Sequence, residues 1–166
     1  GFDLRSSGRQ MNDHFSSSLI DENGDWLDHT EMFNTAADIS STAGQMPKAV
    51  GLSLASKIYR KKASKNQFSK EGNEVIFATI GDASTSEGHF WESVNAACVQ
   101  KIPLAFVVYD DGYGISVPKK YQTTKESISE VLDGFKLDDN GNGMYIFKAK
   151  AWDYVGLYEM FENGIN

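Results

Sequence analysis

From Gln45 to Lys62 apolar positions recur at helical spacing, with Met46, Val50, Leu52, Leu54, Ile58 and Tyr59 separated by Ala49, Gly51 and Ala55. The pattern predicts a helix buried on most of its circumference, with Pro47 in the first turn, where a missing N–H is tolerated. Lys61-Lys62 and the polar run from Ala63 to Asn73 end it. Glu74 to Ile80 then reads as a strand apolar on both faces, the pattern of parallel strands covered by helices. Phe90, Val94, Ala97 and Cys98 return to helical spacing as far as Lys101, Pro103 marks a stop, and Leu104 to Tyr109 forms a second continuous apolar strand. Strand, helix and strand of these lengths predict a right-handed crossover, which brings the carboxyl ends of both strands to one edge of a parallel sheet. Ligands of open α/β sheets bind at that edge. Downstream the pattern predicts a helix over Thr123 to Leu132, a turn over Asp138 to Gly143, a third strand over Met144 to Ala149, and an amphipathic helix over Asp153 to Phe161 capped by Asp153.

The expected fold class is therefore α/β, a parallel sheet with helices on both faces. Residues 1–44 are polar, weakly periodic and turn-like at Asp21-Glu22-Asn23-Gly24-Asp25, so they predict a loop region, and loops of that length usually serve a site. Residues 45–166 carry the α/β pattern, and the two parts together make one domain. A chain of 166 residues, 40% of them hydrophobic, is long enough for a single core.

Charge and cysteine content narrow the function classes. With 16 basic against 23 acidic residues, and no basic cluster larger than Arg60-Lys61-Lys62, a nucleic-acid surface is not expected. No apolar run approaches the roughly 20 residues of a membrane helix, and the single cysteine, Cys98, forms no internal disulfide and suits a reducing compartment. The expectation is a cytoplasmic protein. The chain opens on Gly1 with neither an initiator methionine nor a leader-like pattern, so a processed piece or a fragment is expected.

The candidate chemistry lies after the two apolar strands. Gly81-Asp82-Ala83-Ser84-Thr85-Ser86-Glu87-Gly88 follows the first, and Asp110-Asp111-Gly112-Tyr113-Gly114 follows the second. Two carboxylates at neighbouring strand ends can hold one divalent metal. Small residues around Asp82 let the backbone approach an anion, toward which the following helix directs its N–H groups. Mg²⁺ takes six oxygens, a number that Asp82, Asp111, a main-chain carbonyl near Tyr113, two diphosphate oxygens and a water would supply. The plainer alternative is that Asp82 caps a helix and Asp110-Asp111-Gly112 is an ordinary turn; the residues alone leave both open. Asp21, Asn23 and Asp25 imitate a calcium loop, but Trp26 and Met32 stand where it needs glycine and glutamate. His29 and His89 read as surface or helix-start residues, and Cys98 as core packing.

Several of these segments, in order, resemble a known family. Gly81 to Gly88, Asn95-Ala96-Ala97, Ile102-Pro103 and Gly112-Tyr113-Gly114-Ile115-Ser116-Val117-Pro118 are similar to the thiamine-diphosphate motif of the α-type subunit of 2-oxo acid dehydrogenases. Upstream, Gly8-Arg9-Gln10-Met11, His14 and Ser40-Ser41-Thr42-Ala43-Gly44-Gln45-Met46-Pro47 resemble the same family. The resemblance is close over residues 8–118, nearest to branched-chain-type and to bacterial forms with fused α-like and β-like halves. It implies a thiamine-diphosphate-binding fold whose diphosphate-binding domain is residues 45–166. Mg²⁺ would be held by Asp82, Asp111 and the main-chain carbonyl of Tyr113. Ala83 and Ser84 would offer amides to the diphosphate, Ser40 and Thr42 would lie along the aminopyrimidine, Ile115 would touch the cofactor, and His14 would stand near its reacting end as the catalytic candidate.

The implied activity is oxidative decarboxylation of a 2-oxo acid, with the branched-chain class as the nearest resemblance, and acyl transfer to lipoyl. The implied partners are a β-type subunit or fused half, which carries the activating glutamate, and a lipoyl-bearing acyltransferase, in a homo- or hetero-oligomer. Alternatives are an acetoin dehydrogenase, a transketolase-like enzyme, or a non-catalytic Mg²⁺-diphosphate module. Two departures from the family are visible: Ala83 stands where glycine is usual, so its backbone must avoid positive φ or bear strain, and Asp111 replaces the usual asparagine, adding one negative charge.

Overall fold

The computed structural model describes residues 23–25, 39, 41–62, 65–66 and 69–165. Helix α1, Gln45–Lys62, has the predicted bounds. A short antiparallel pair, β1 (Lys65–Asn66) and β2 (Ser69–Lys70), leads to strand β3, Ile76–Gly81. Helix α2, Gly88–Gln100, then connects β3 to strand β4, Leu104–Tyr109. The two strands pair in parallel from Ile76↔Leu104 to Gly81↔Tyr109. This is an α/β arrangement around a small parallel sheet. Beyond it lie a hairpin of β5 (Tyr113–Gly114) and β6 (Val117–Pro118), the short helix α3 (Ile128–Val131), and helix α4 (Tyr154–Ile165).

The core lies on one face of the sheet. Ala78 and Ile80 of β3 are buried there with Met46 and Ala49 of α1 and Phe90 and Val94 of α2, and Ile128 and Leu132 complete the cluster. Phe90 is fully buried and meets the ring of Phe106 on β4 edge-on at 6.0 Å. Alternation along β3 sends Phe77 to the other face, where Phe161 of α4 packs against it at 5.8 Å. Helix α2 stops as its sequence predicts: Lys101 turns left-handed and Ile102 N–H donates to Ala97 O, just before Pro103.

Three expectations are corrected. Helix α1 buries one face through Met46, Ala49, Ser53 and Ser56, whereas Leu52 (44% exposed) and Ile58 (43%) are open, so it is not buried on most of its circumference. Thr123 to Leu132 is not one helix. Lys125 and Glu126 adopt positive φ, and the extended Ser127 starts α3 afresh by accepting the Glu130 N–H on its hydroxyl. Met144 to Ala149 is not a strand: Met144 bridges to Lys136, and Tyr145 and Phe147 stay exposed. Helix α4 does form, with Asp153 Oδ1 accepting the Gly156 N–H at 3.0 Å as the expected cap.

The polar link between α1 and β3 is organised around Glu74. Its carboxylate accepts hydrogen bonds from the Lys70 amide and from the hydroxyls of Ser69 and Ser56. Gly72 makes this possible: its φ is +73°, and a side chain there would collide with the Arg60 backbone. Burial pushes the Glu74 acid up, but the Lys70 amide, its own amide and the two hydroxyls outweigh it and hold the group below the ordinary carboxylate range. A lowered folded-state value adds stability above the unfolded value and loses it as pH falls through the folded one. Glu74→Gln is therefore expected to lower stability near neutral pH and to flatten the acid side of a denaturant-midpoint-versus-pH curve; a curve parallel to that of the parent would refute the role.

Candidate functional site

The parallel register builds the site. With Gly81 opposite Tyr109, the next positions are Asp82 and Asp110, and the Asp82 N–H continues the ladder to Tyr109 O at 3.1 Å. Both strands thus end in carboxylates at one edge. After Asp82 the chain enters a single 3₁₀ turn, Ala83–Ser86, pinned by the buried Thr85, whose hydroxyl donates to Asp82 O at 2.6 Å.

Asp82 itself is 2% exposed, and its Oδ2 has no hydrogen-bond partner among the described residues. Its side chain makes no capping bond to the turn that follows. Burial is the main force raising its pKa; the nearby Asp110 and Asp111 carboxylates add to it, and the Ala83 amide and Lys119 ammonium oppose it only in part. A buried carboxylate oxygen with nothing to accept from is costly in the metal-free fold. Such an atom is suited to a cation.

The opposing loop is tightly tied. Lys119 Nζ lies 2.7 Å from each Asp110 oxygen, and the Lys119 N–H donates to Gly112 O at 2.8 Å. Asp111 Oδ1 accepts the Tyr113 N–H at 3.0 Å, so the turn reading is correct for one of its oxygens. Gly114 sits against the Asp82 turn: a Cβ there would lie 2.6 Å from Ala83 Cβ and would also strike the Gln122 amide. Ala83 lies within the 3₁₀ turn and is absent from the positive-φ residues, so it avoids that strain. Its methyl occupies the space that Gly114 leaves.

The structure brings Asp82 and Ala83 near Asp111 and Tyr113, with Ser84 next along the 3₁₀ turn and Ile115 at the hairpin tip. Ile115 is fully exposed at φ +57°, a left-handed conformation strained for a β-branched residue. Thr42 is exposed in the turn leading into α1, whose Gln45 amide donates to Thr79 O of β3 at 3.0 Å. His14 and Ser40 lie outside the described residues, as do His29 and most of the calcium-like segment. His89 is exposed at the start of α2, as expected. Sequence reasoning missed Lys119, Thr85 and Gly114. The first carried a signal: a lysine shortly after an Asp-Asp pair, across a glycine-rich turn of hairpin length. Among the described residues no three His, Cys, Asp or Glu side chains converge, so a cation here would need oxygens beyond those of Asp82 and Asp111.

A model of the dehydrogenase E1 component family matches residues 17–142. The chain belongs to that family. Among relatives of this E1 component chain, the 2-oxoisovalerate dehydrogenase subunit alpha of Bacillus subtilis is 30% identical over 84% of this chain and 36% of its own length. The pyruvate dehydrogenase E1 component subunit alpha of Acholeplasma laidlawii is 31% identical over 63% of this chain and 29% of its own. The corresponding subunit of Staphylococcus aureus is 36% identical over 35% of this chain and 16% of its own. The chain thus spans about a third of the length of the first two of these E1 relatives.

Two outcomes follow from the geometry. A carboxyl raised above its unfolded value weakens the fold at pH above the raised value, so Asp82→Asn is expected to raise the melting temperature of the metal-free chain near neutral pH, with the gain vanishing in acid. A neutral or negative shift at pH 7 would show that the carboxylate is not under stress. Gly114→Ala is expected to cost about 1–3 kcal/mol by overpacking, and Ala83→Gly in the same chain to recover part of it. Additive losses in a double-mutant cycle would refute the contact.

Proposed function

We propose that this chain is the diphosphate- and Mg²⁺-binding part of a thiamine-diphosphate-dependent 2-oxo acid dehydrogenase, with residues 45–166 as its binding domain and residues 1–44 contributing a loop region to the cofactor site. The observation that carries the reading is the buried, unpartnered Oδ2 of Asp82 at the carboxyl edge of a parallel pair, beside Asp111, in an E1 component chain. Asp82 and Asp111 would supply two hard anionic oxygens and the Tyr113 carbonyl a neutral one to Mg²⁺, which would neutralise the diphosphate charge there. Ala83 and Ser84, at the start of the 3₁₀ turn, offer backbone N–H groups to the diphosphate. Ile115, Thr42, Ser40 and His14 are assigned to the organic part of the cofactor, with His14 as the catalytic candidate, by the motif resemblance alone.

Thiamine diphosphate, when bound, supplies the nucleophilic carbon on which a 2-oxo acid loses CO₂ before its acyl group passes to a lipoyl carrier. This chain's part is anchoring and orientation. The activating carboxylate belongs to a β-type subunit or fused half, and a lipoyl-bearing acyltransferase receives the product. A branched-chain substrate is favoured by Gly8-Arg9-Gln10-Met11 and by the breadth of the match to the 2-oxoisovalerate dehydrogenase subunit. A cytoplasmic location is part of the proposal; within the described residues no helix is long and apolar enough to cross a membrane.

The test is Mg²⁺-dependent uptake of thiamine diphosphate by calorimetry on the chain paired with a β-type half. Asp82→Ala should abolish uptake with the fold intact. Asp111→Asn should keep it, because an amide oxygen still coordinates, and Asp111→Leu should lose it. Uptake unchanged in Asp82→Ala, or equal in the two Asp111 variants, would remove the assignment.

A further inference from the structure

At the edge of the sheet the buried Asp82 feels the charges of Asp110 and Asp111, which do not close into a three-carboxylate cluster, and the ammonium of Lys119 opposes them. Lys119 acts from both of its ends. Its ammonium lies 2.7 Å from each oxygen of Asp110, and its backbone N–H closes the loop on Gly112 O at 2.8 Å. Asp111 lies between those two attachments. The lysine is partly covered, with 21% of its side chain exposed, so water screens the pair less than it would an open surface bridge. Without the ammonium, Asp110 would repel both neighbours and compete for any divalent cation. The turn that orients Asp111 toward the Tyr113 N–H would also lose its anchor.

We propose that Lys119 is the positioning residue of the cation site: it engages Asp110 and holds the loop, so that Asp82 and Asp111 are the carboxylates left to face the metal. The proposal rests on the Mg²⁺ reading above. Lys119 touches neither metal nor cofactor in this scheme and acts through Asp110 and the Gly112 turn. It also accounts for how the chain accommodates an aspartate at position 111, since the charge that Asp111 adds is matched by one that Lys119 removes from Asp110.

The experiment compares Lys119→Met, which keeps the apolar stem, with Lys119→Arg, which can still bracket both oxygens of a carboxylate. Amide exchange of the Tyr113 N–H in the metal-free full chain reads the loop, and the Mg²⁺ concentration for half-maximal thiamine diphosphate uptake, with a β-type half present, reads the site. Lys119→Met should speed Tyr113 exchange, leave the amides around Phe90 as protected as before, and raise the Mg²⁺ requirement about ten-fold. Lys119→Arg should restore both. An unchanged Mg²⁺ requirement in Lys119→Met while Asp82→Ala abolishes uptake would overturn the positioning role and leave the cation site standing. If Asp82→Ala also leaves uptake unchanged, site and positioning role fall together. An arginine variant as impaired as the methionine one, or Tyr113 exchange unaltered in Lys119→Met, would likewise overturn the role.

Discussion

The parallel pairing of β3 with β4 in one register is the constraint on which the rest depends. The ladder from Ile76↔Leu104 to Gly81↔Tyr109 decides which residues of β3 face the helices and which carboxylates meet at its end. Side chains alternate along a strand, so a slip of one residue would turn Ala78 and Ile80 out of the core and bring Phe77 and Thr79 in. The same slip would move Asp82 away from Asp110. Phe90, fully buried and edge-on to Phe106, therefore guards the register and the site together.

At the edge the energetic signs reverse. The core is mostly apolar, with the Ser53 hydroxyl its one unpartnered buried side-chain atom among the described residues, whereas Asp82 holds a buried carboxylate oxygen without a partner and within reach of the Asp110 and Asp111 charges. The helices packed on the sheet hold this unfavourable arrangement in place, and the turn at Thr85 and the hairpin at Gly112 to Lys119 fix its shape from either side. A sheet end selected for stability alone would not bury a carboxylate within reach of two others. Stress at one residue, supported by rigid neighbours, is the usual mark of a binding site.

Elements whose sequence pattern is local were legible in advance. The bounds of α1 and the strand, helix and strand from β3 to β4 follow from apolar spacing punctuated by Pro47, Gly81 and Pro103. Met144 to Ala149 has strand-like residues, but a strand exists only with a partner, and the pairing of Met144 with Lys136 is a single bridge. The break at Lys125 and Glu126 escaped because Ser127 competes for the backbone as a cap, a choice that propensity over a window does not reveal. Asp82 and Asp111 were legible as carboxylates following the two parallel strands. Lys119, Gly114 and Thr85 were not, since their roles depend on how two loops meet across the sheet edge.

Cys98 sits on the inner side of α2, half-buried against the core, and burial holds its thiol above the ordinary range. Little thiolate forms there, so soft electrophiles and disulfide exchange find a poor nucleophile while α2 stays packed. Its labelling would then speed up when α2 loosens from the sheet, since that would relieve the burial that holds the thiol protonated. As the chain's single sulfhydryl, it is a built-in reporter on the packing of the layer that holds β3 and β4 in register.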